Sequence, residues 1–184
     1  MLLAIDIGNS NVTCGIFHKG KWEYTIRIPS NLNFWNELIT LQKYKVTDAA
    51  ISSVVPRLTT VYIESIKNIF HIEALKINHK NAGVKLDVDS PYEVGTDRIC
   101  NTVAAIELIG CPAIIGDIGS ATNYDVVDQK GNFIGGAIAP GLETAARNLF
   151  EKAALLKEIA FSIPASAIGR DTPSNLQSGI MLGA

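Results

Sequence analysis

The sequence predicts an α/β protein in which a unit of three strands followed by helices occurs twice. Short apolar runs end at glycine-containing turns, as buried strands do, and longer segments have apolar residues at helical spacing. The segment Ile5–Asn11 matches Gly116–Thr122 at an offset of 111 positions, and Lys19–Gly20 matches Lys130–Gly131 at the same offset. Each copy has the order strand, Asp-Ile-Gly turn, strand, Lys-Gly turn, strand, so we expect an internal duplication.

The strands are predicted from apolar runs and from alternation. Leu2–Ile7 is a continuous apolar run that ends at Gly8, and Trp22–Ile28 alternates apolar and polar residues. The other runs are shorter or end at turn residues. We expect strands over Leu2–Ile7, Val12–Phe17, Trp22–Ile28, Ala49–Val55, Leu75–Asn78 and Leu86–Val88, then over Ala113–Ile118, Tyr124–Asp128 and Phe133–Ile138.

The helices are predicted from helical spacing and from proline at the first position. Ile99, Val103 and Ile106 fall on one face of a helix, and Pro56 suits the first turn of another. We expect helices over Phe34–Leu41, Pro56–Phe70, Gly95–Ile109, Leu142–Leu156 and Pro173–Leu182.

The duplication predicts two lobes of unequal size. The first copy occupies residues 1–111, and the second has only residues 112–184. The chain ends on an apolar helical segment without a cap or a polar tail, so we expect the second lobe to be truncated and the chain to be partial.

Composition excludes several classes of protein. The chain has 184 residues, 47% of them hydrophobic, and a net charge of −2, which predicts a sizeable core and argues against a nucleic-acid binder. It has no apolar run of membrane-spanning length and no basic start typical of a secretion signal. The three cysteines lack metal-ligand spacing and suit reduced thiols, so we expect a cytoplasmic protein without membrane or nucleic-acid partners.

The first Asp-Ile-Gly turn has the composition of a phosphate site. Gly8 allows close backbone approach, and Asn9, Ser10 and Asn11 carry short polar side chains. Asp6 could hold Mg²⁺ through water. The alternative is a plain hairpin turn, but the second turn, from Asp117 to Thr122, favours a pair of turns that bind a nucleotide.

The segment Glu93–Arg98 has two interpretations. Thr96 is a suitable N-cap and Asp97 suits the positive end of a helix, which would be a structural role only. In the functional interpretation Asp97 is a general base, and Arg98 binds an anion such as a carboxylate.

Two further motifs leave similar alternatives. Gly135–Gly141 predicts either close backbone or ligand approach or a tight connection between strand and helix. Thr172 followed by Pro173 is an ordinary helix start, with Thr172 as N-cap, although its hydroxyl could also meet a ligand. There is no dinucleotide-binding fingerprint, Walker loop or zinc spacing.

Taken in order, the motifs resemble those of type III pantothenate kinases. They are Asp6-x-Gly-Asn-Ser-Asn, Pro91-x-Glu-x-Gly-x-Asp97-Arg98, Asp117-x-Gly-x-Ala-Thr, Gly135-Gly-x-Ile-x-Pro-Gly141, Gly169-Arg-x-Thr172 and Gln177-Ser-Gly179. The resemblance runs from Met1 to Ala184. It implies the duplicated βββαβαβα fold of the acetate and sugar kinase/Hsp70/actin superfamily, which includes the ribonuclease H-like and actin-like ATPases.

The resemblance also implies a reaction and a set of roles. ATP would phosphorylate a hydroxyl of pantothenate in the first step of coenzyme A synthesis, with Mg²⁺ and potassium or ammonium, in a homodimer whose site lies near the interface. Pantothenate would be bound by Gly95, Thr96, Asp97, Arg98 and Thr172, with Asp97 as proton acceptor. ATP would be bound by Ser120 and by the first phosphate loop, and Asp117 would ligate the monovalent cation. The loop residues are Asp6, Ile7, Gly8, Asn9, Ser10, Asn11, Val12 and Thr13.

Two other functions stay open at this point. The chain could be a relative that kept the fold for binding or regulation without catalysis. It could also be a kinase of the same superfamily that acts on another small hydroxyl substrate.

Overall fold

The computed structural model describes residues 1–31 and 34–183. The first copy contains β1 (Leu2–Ile7), β2 (Asn11–His18), β3 (Lys21–Pro29), α1 (Trp35–Thr40), β4 (Asp48–Ser53), α2 (Pro56–Phe70), β5 (Ala74–Lys76) and α3 (Thr96–Leu108). The second contains β6 (Ala113–Ile118), β7 (Ala121–Val127), β8 (Phe133–Pro140), α4 (Leu142–Lys152) and α5 (Thr172–Leu182). The first copy therefore has the βββαβαβα order. The expectation about the chain end falls on Ala184, which lies outside the described residues.

The order of the strands places Asp6 beside two other elements. In the described part of the chain, five strands form one sheet in the order β3-β2-β1-β4-β5. β1 is antiparallel to β2 and parallel to β4, and Asp6 lies opposite Thr13 on one side and Ser52 on the other. Directly opposed residues point to the same face of a sheet, so these three side chains share a face at the end of β1.

The hydrophobic core occupies the other face of this sheet. Leu3, Ile5 and Ile7 are buried in one cluster with Leu58 and Tyr62 of α2. Residues two apart on a strand share a face, so the three core residues of β1 direct Asp6 away from the core. The position of the acidic side chain is thus a consequence of hydrophobic burial on the opposite face.

The duplication extends to backbone geometry. β1 and β6 have the same bounds at the offset of 111 positions, and Gly20 and Gly131 both have φ +78°, a conformation that favours glycine. The turns after the two strands differ: the N–H of Gly8 bonds the Asn11 carbonyl at 3.0 Å, and that of Gly119 bonds the Ala121 carbonyl at 2.9 Å. The second turn is one residue tighter.

The chain divides into two compact units. One contains Met1–Ala113 and Val126–Gly135, and the other contains Ile114–Asp125 and Gly136–Ala184. Strands β6, β7 and β8 form a three-stranded sheet in that order within the described residues. The lobes expected at residues 1–111 and 112–184 stay a prediction.

The largest differences from the predicted elements are at Leu86–Val88 and at the end of α4. Leu86–Val88 is not a strand: Leu86 forms an isolated parallel bridge with Phe133. A single pairing partner gives this segment too few ladder hydrogen bonds to be a strand. Helix α4 ends at Lys152, and Ala153 is already extended at φ −106° and ψ 94°. Across residues 1–31 and 34–183, none of the helices combines the length and hydrophobicity needed to span a bilayer.

Candidate active site

Asp6 is held by a buried serine from the neighbouring strand. The hydroxyl of Ser52 donates a hydrogen bond to Oδ1 of Asp6 at 2.9 Å. Ser52 is only 7% exposed, whereas Asp6 is exposed. The pair therefore presents a carboxylate to solvent from a fixed point on the sheet.

The same serine contacts the start of α3. Its hydroxyl lies 3.2 Å from Oγ1 of Thr96. Thr96 also accepts a hydrogen bond from the N–H of Ser53 at 2.8 Å and donates one to the Ser53 carbonyl at 3.1 Å. Thr96 is thus not the N-cap of α3, a position that Gly95 occupies. Its hydroxyl instead bonds the end of β4, which places the first turn of α3 beside Asp6.

The carboxylate of Asp97 lies close to the backbone at the start of α3. Oδ1 of Asp97 accepts a hydrogen bond from the N–H of Arg98 at 2.8 Å. A Cβ added to Gly95 would lie 2.5 Å from the same oxygen and 3.5 Å from Cγ1 of Val54. Glycine at this position therefore leaves the space that the carboxylate occupies.

Arg98 packs over an aromatic ring from a distant part of the sequence. Its guanidinium carbon lies 5.4 Å from the ring centroid of Phe133, a cation–π distance. Phe133 is buried in a small cluster with Leu86 and Ile99. The ring limits where the guanidinium group can move, so Phe133 orients Arg98.

The pKa of the Cys100 thiol is influenced by both Asp6 and Asp97. Burial is the main cause that raises the pKa of the Cys100 thiol. The charges of Asp6 and Asp97 raise this pKa further, and a hydrogen bond with Ser52 opposes the rise. Both predicted acidic site residues therefore act on one thiol of the first unit.

The three cysteines are expected to differ in reactivity, since the thiolate is the reactive form. Burial, with the charge of Glu37, raises the pKa of Cys14 to about 12. Cys111 is exposed. We expect N-ethylmaleimide to label Cys111 first, Cys100 slowly and Cys14 only on unfolding, as measured by peptide mass spectrometry. Chain unfolded in guanidinium is the control and should label at all three positions. Equal labelling of Cys14 and Cys111 in the folded chain would contradict the buried position of Cys14.

The first phosphate turn is braced by a serine that follows β3. The hydroxyl of Ser30 donates to the Gly8 carbonyl at 2.6 Å, and the Ser30 N–H donates to the Ser10 carbonyl at 3.0 Å. The bond from the Gly8 N–H to the Asn11 carbonyl closes the turn from within. Asn9 and Ser10 are exposed at the tip of the turn.

The second turn is closed by the small residues that follow β8. The Gly141 N–H and the Thr144 hydroxyl both donate to the Ser120 carbonyl, at 3.0 and 2.8 Å. A Cβ at Gly141 would clash with the Gly119 carbonyl. Close backbone approach therefore explains this part of the Gly135–Gly141 motif. Asp117 is half-buried near the end of β6, and Ser120 is exposed in the turn.

Thr172 lies at the start of α5 but does not cap it. The N-cap is Asp171, whose side chain accepts the Ser174 N–H at 2.8 Å, and Thr172 is the first helical residue. The carboxylate is the better acceptor for this helix end. Thr172 lines an apolar cavity of about 580 Å³ whose other walls include Tyr124, Leu149 and Leu176.

The side chains present fit a metal that is held mainly by substrate and water. Within residues 1–31 and 34–183, no three His, Cys, Asp or Glu side chains are grouped to hold an ion by themselves. Mg²⁺ commonly takes one or two carboxylates and completes its shell with water and phosphate oxygens. The exposed carboxylate of Asp6, oriented by Ser52, is a donor of this kind.

Sequence reasoning missed Ser52 and Phe133 as site residues. Ser52 lies in the middle of the predicted strand Ala49–Val55, where a polar residue within a largely apolar run is a usable signal. Phe133 begins a predicted strand, and at the offset of 111 positions it matches Trp22. Nothing near it in the sequence points to Arg98.

Solved structures share the fold of this chain. The structure aligns with a crystal structure from Campylobacter jejuni described as a Baf family transcriptional activator, with a TM-score of 0.60 and 22% identity over 98% of this chain and 74% of that one. It aligns with a 2-dehydro-3-deoxygalactonokinase protein from Sinorhizobium meliloti with a TM-score of 0.58 and 12% identity, over 91% and 63% of the two chains. This chain therefore shares its fold with both of these structures.

Sequence comparison then identifies the family. The family model for type III pantothenate kinase matches residues 2–184. The type III pantothenate kinase of Thermomicrobium roseum is 41% identical over 197 aligned positions, which cover 100% of this chain and 75% of the relative. The chain belongs to the type III pantothenate kinase family, and the resemblance found in the motifs is confirmed. The family implies ATP and a divalent metal.

Proposed function

We propose that this chain transfers the γ-phosphoryl group of ATP to the 4′-hydroxyl of pantothenate, the first step of coenzyme A synthesis. The observation that supports it best is the cluster at the ends of β1 and β4 and the start of α3. Ser52 bonds Asp6 and contacts Thr96, and Asp97 and Arg98 follow directly. Phosphoryl transfer needs positioning and charge neutralisation more than covalent chemistry, and this cluster supplies residue types suited to both.

In this proposal Asp97 accepts the proton of the pantothenate hydroxyl as its oxygen attacks the γ-phosphorus. The bond from the γ-phosphorus to the β,γ-bridging oxygen breaks, ADP leaves, and the proton passes from Asp97 to solvent. Arg98 pairs with the pantothenate carboxylate through parallel N–H donors, and Gly95, Thr96 and Thr172 complete the substrate contacts.

The nucleotide is assigned to the two acidic turns. Residues Asp6–Thr13 bind phosphate, and Ser120 contacts ATP. Asp6 holds Mg²⁺ through water, and Asp117 ligates potassium or ammonium. The metal, when bound, neutralises charge on the phosphate oxygens. We also propose that the protein is a cytoplasmic homodimer with the substrate site near the interface.

Incubation of the chain with ATP, Mg²⁺, K⁺ and pantothenate tests the function. We expect 4′-phosphopantothenate and ADP in equal amounts, measured by mass spectrometry and by a coupled ADP assay. A panel of other small hydroxy acids is the control. Product from another alcohol, with none from pantothenate, would overturn the substrate. Ligand binding by calorimetry without any phosphorylated product would instead favour a regulatory relative.

A further inference from the structure

We propose that Ser52 is a positioning residue that fixes the Asp6 carboxylate for the metal–nucleotide complex. The inference rests on the proposed function, because it assigns a purpose to Asp6 in phosphate binding. Ser52 would act through Asp6 and would touch neither substrate.

The Ser52 hydroxyl can donate only one hydrogen bond, so its possible acceptors must be compared. A serine hydroxyl has one proton and can accept further bonds through its lone pairs. Its neighbours within hydrogen-bonding range include Oδ1 of Asp6 at 2.9 Å, Oγ1 of Thr96 at 3.2 Å and the thiol of Cys100. A charged acceptor forms the shorter and stronger hydrogen bond, so the Ser52 hydroxyl donates to the Asp6 carboxylate.

The surroundings of the Ser52 hydroxyl determine what its removal would change. Ser52 is 7% exposed, and its neighbours are the strand pair β1–β4 and the first turn of α3. Asp6 itself is exposed, so water can satisfy the carboxylate if the serine hydroxyl is removed. Removal of the hydroxyl therefore takes one fixed hydrogen bond from the carboxylate, and we expect a small effect on folding.

The contact between Ser52 and Thr96 connects Ser52 to Asp97, the proposed general base. Thr96 precedes Asp97, and its hydroxyl is held by both Ser52 and the backbone of Ser53. One serine side chain thus touches the residue proposed to hold the metal and the turn that carries Asp97. Ser52 sets the spacing between them.

Ser52→Ala tests this role against a matched control in the same unit. Ser65→Ala removes another buried serine hydroxyl, whose bond goes only to the Val61 carbonyl of its own helix at 2.6 Å. The readouts are Mn²⁺ binding in the presence of ADP by electron paramagnetic resonance, and thermal unfolding. We expect Ser52→Ala to weaken Mn²⁺ binding about tenfold or more with nearly unchanged unfolding, whereas Ser65→Ala leaves binding within about twofold.

The outcomes distinguish a failure of the positioning role of Ser52 from a failure of the proposed function. If the unmodified chain binds no Mn²⁺ with ADP and makes no product, the proposed function fails. If it binds and Ser52→Ala binds equally well, the positioning role is wrong. If Ser52→Ala does not fold, the test uses Ser52→Cys. This variant keeps the approximate size of the side chain but carries a weaker hydrogen-bond donor. Reduced Mn²⁺ binding by folded Ser52→Cys supports the role, and unchanged binding overturns it.

Discussion

Replacement of Asp97 by asparagine is expected to lower the turnover of pantothenate by about a hundredfold to ten-thousandfold. This is the usual contribution of a positioned general base. Asparagine has the shape of aspartate, and its carbonyl oxygen can still accept the Arg98 N–H that Oδ1 of Asp97 accepts at 2.8 Å. The helix start is therefore kept and only the basicity is lost. The measurement is the steady-state rate of ADP release at saturating ATP and pantothenate.

Glu93→Gln is the control for Asp97→Asn. Glu93 is exposed in the short 3-10 turn Pro91–Glu93, just before α3, so this variant removes a nearby negative charge outside the cluster. Its turnover should equal that of the unmodified chain. An Asp97→Asn variant that keeps full turnover would remove Asp97 from the proposed mechanism, whatever the control does.

Gly95→Ala is expected to reduce turnover about a hundredfold with pantothenate still bound. The new methyl group would stand 2.5 Å from Oδ1 of Asp97, so the carboxylate must turn away from its present position. A displacement of about 1 Å at a reacting group can cost this much. Gly95 has φ −57° and ψ 139°, which alanine adopts without strain, so the effect comes from the contact alone. Turnover and pantothenate affinity by calorimetry are the measurements.

The matched control for Gly95→Ala is Gly116→Ala. No atom lies within 4 Å of a Cβ built at Gly116, which has an exposed position in β6. Turnover of this variant should stay unchanged. If Gly95→Ala were as active as Gly116→Ala, the close approach of the Asp97 carboxylate to Gly95 would have no bearing on catalysis.

Patterns among neighbouring residues were sufficient to predict most of the helices and strands. Matching of segments along the chain was sufficient to predict the repeat. The predicted helix Pro56–Phe70 has the same bounds in the structure, and the strands Leu2–Ile7 and Ala113–Ile118 also agree. Apolar runs, proline at a helix start and glycine turns are effects of neighbouring residues, so they are visible in a short window. The roles assigned to Asp6, Asp97, Asp117 and Thr172 stay predictions.

Patterns among neighbouring residues predicted the first residues of the helices less accurately. Thr96 and Thr172 are both suitable N-caps by residue type, yet each lies one position inside its helix. Asp171 competes with Thr172 for the N-terminal N–H groups and is the better acceptor. Thr96 finds a partner in Ser53, 43 positions earlier in the chain, which a window of neighbouring residues does not contain.

The sequence by itself determined the family, the duplicated order of strands and helices, and the presence of two acidic turns. Only the tertiary structure decided that Ser52 bonds Asp6, that Phe133 underlies Arg98, and that Asp97 occupies the space left by Gly95. The reason is that these contacts depend on register and packing between segments far apart in the chain. Asp6 meets Ser52 because β1 and β4 pair in parallel, and parallel pairing needs a long crossover whose register no local pattern states.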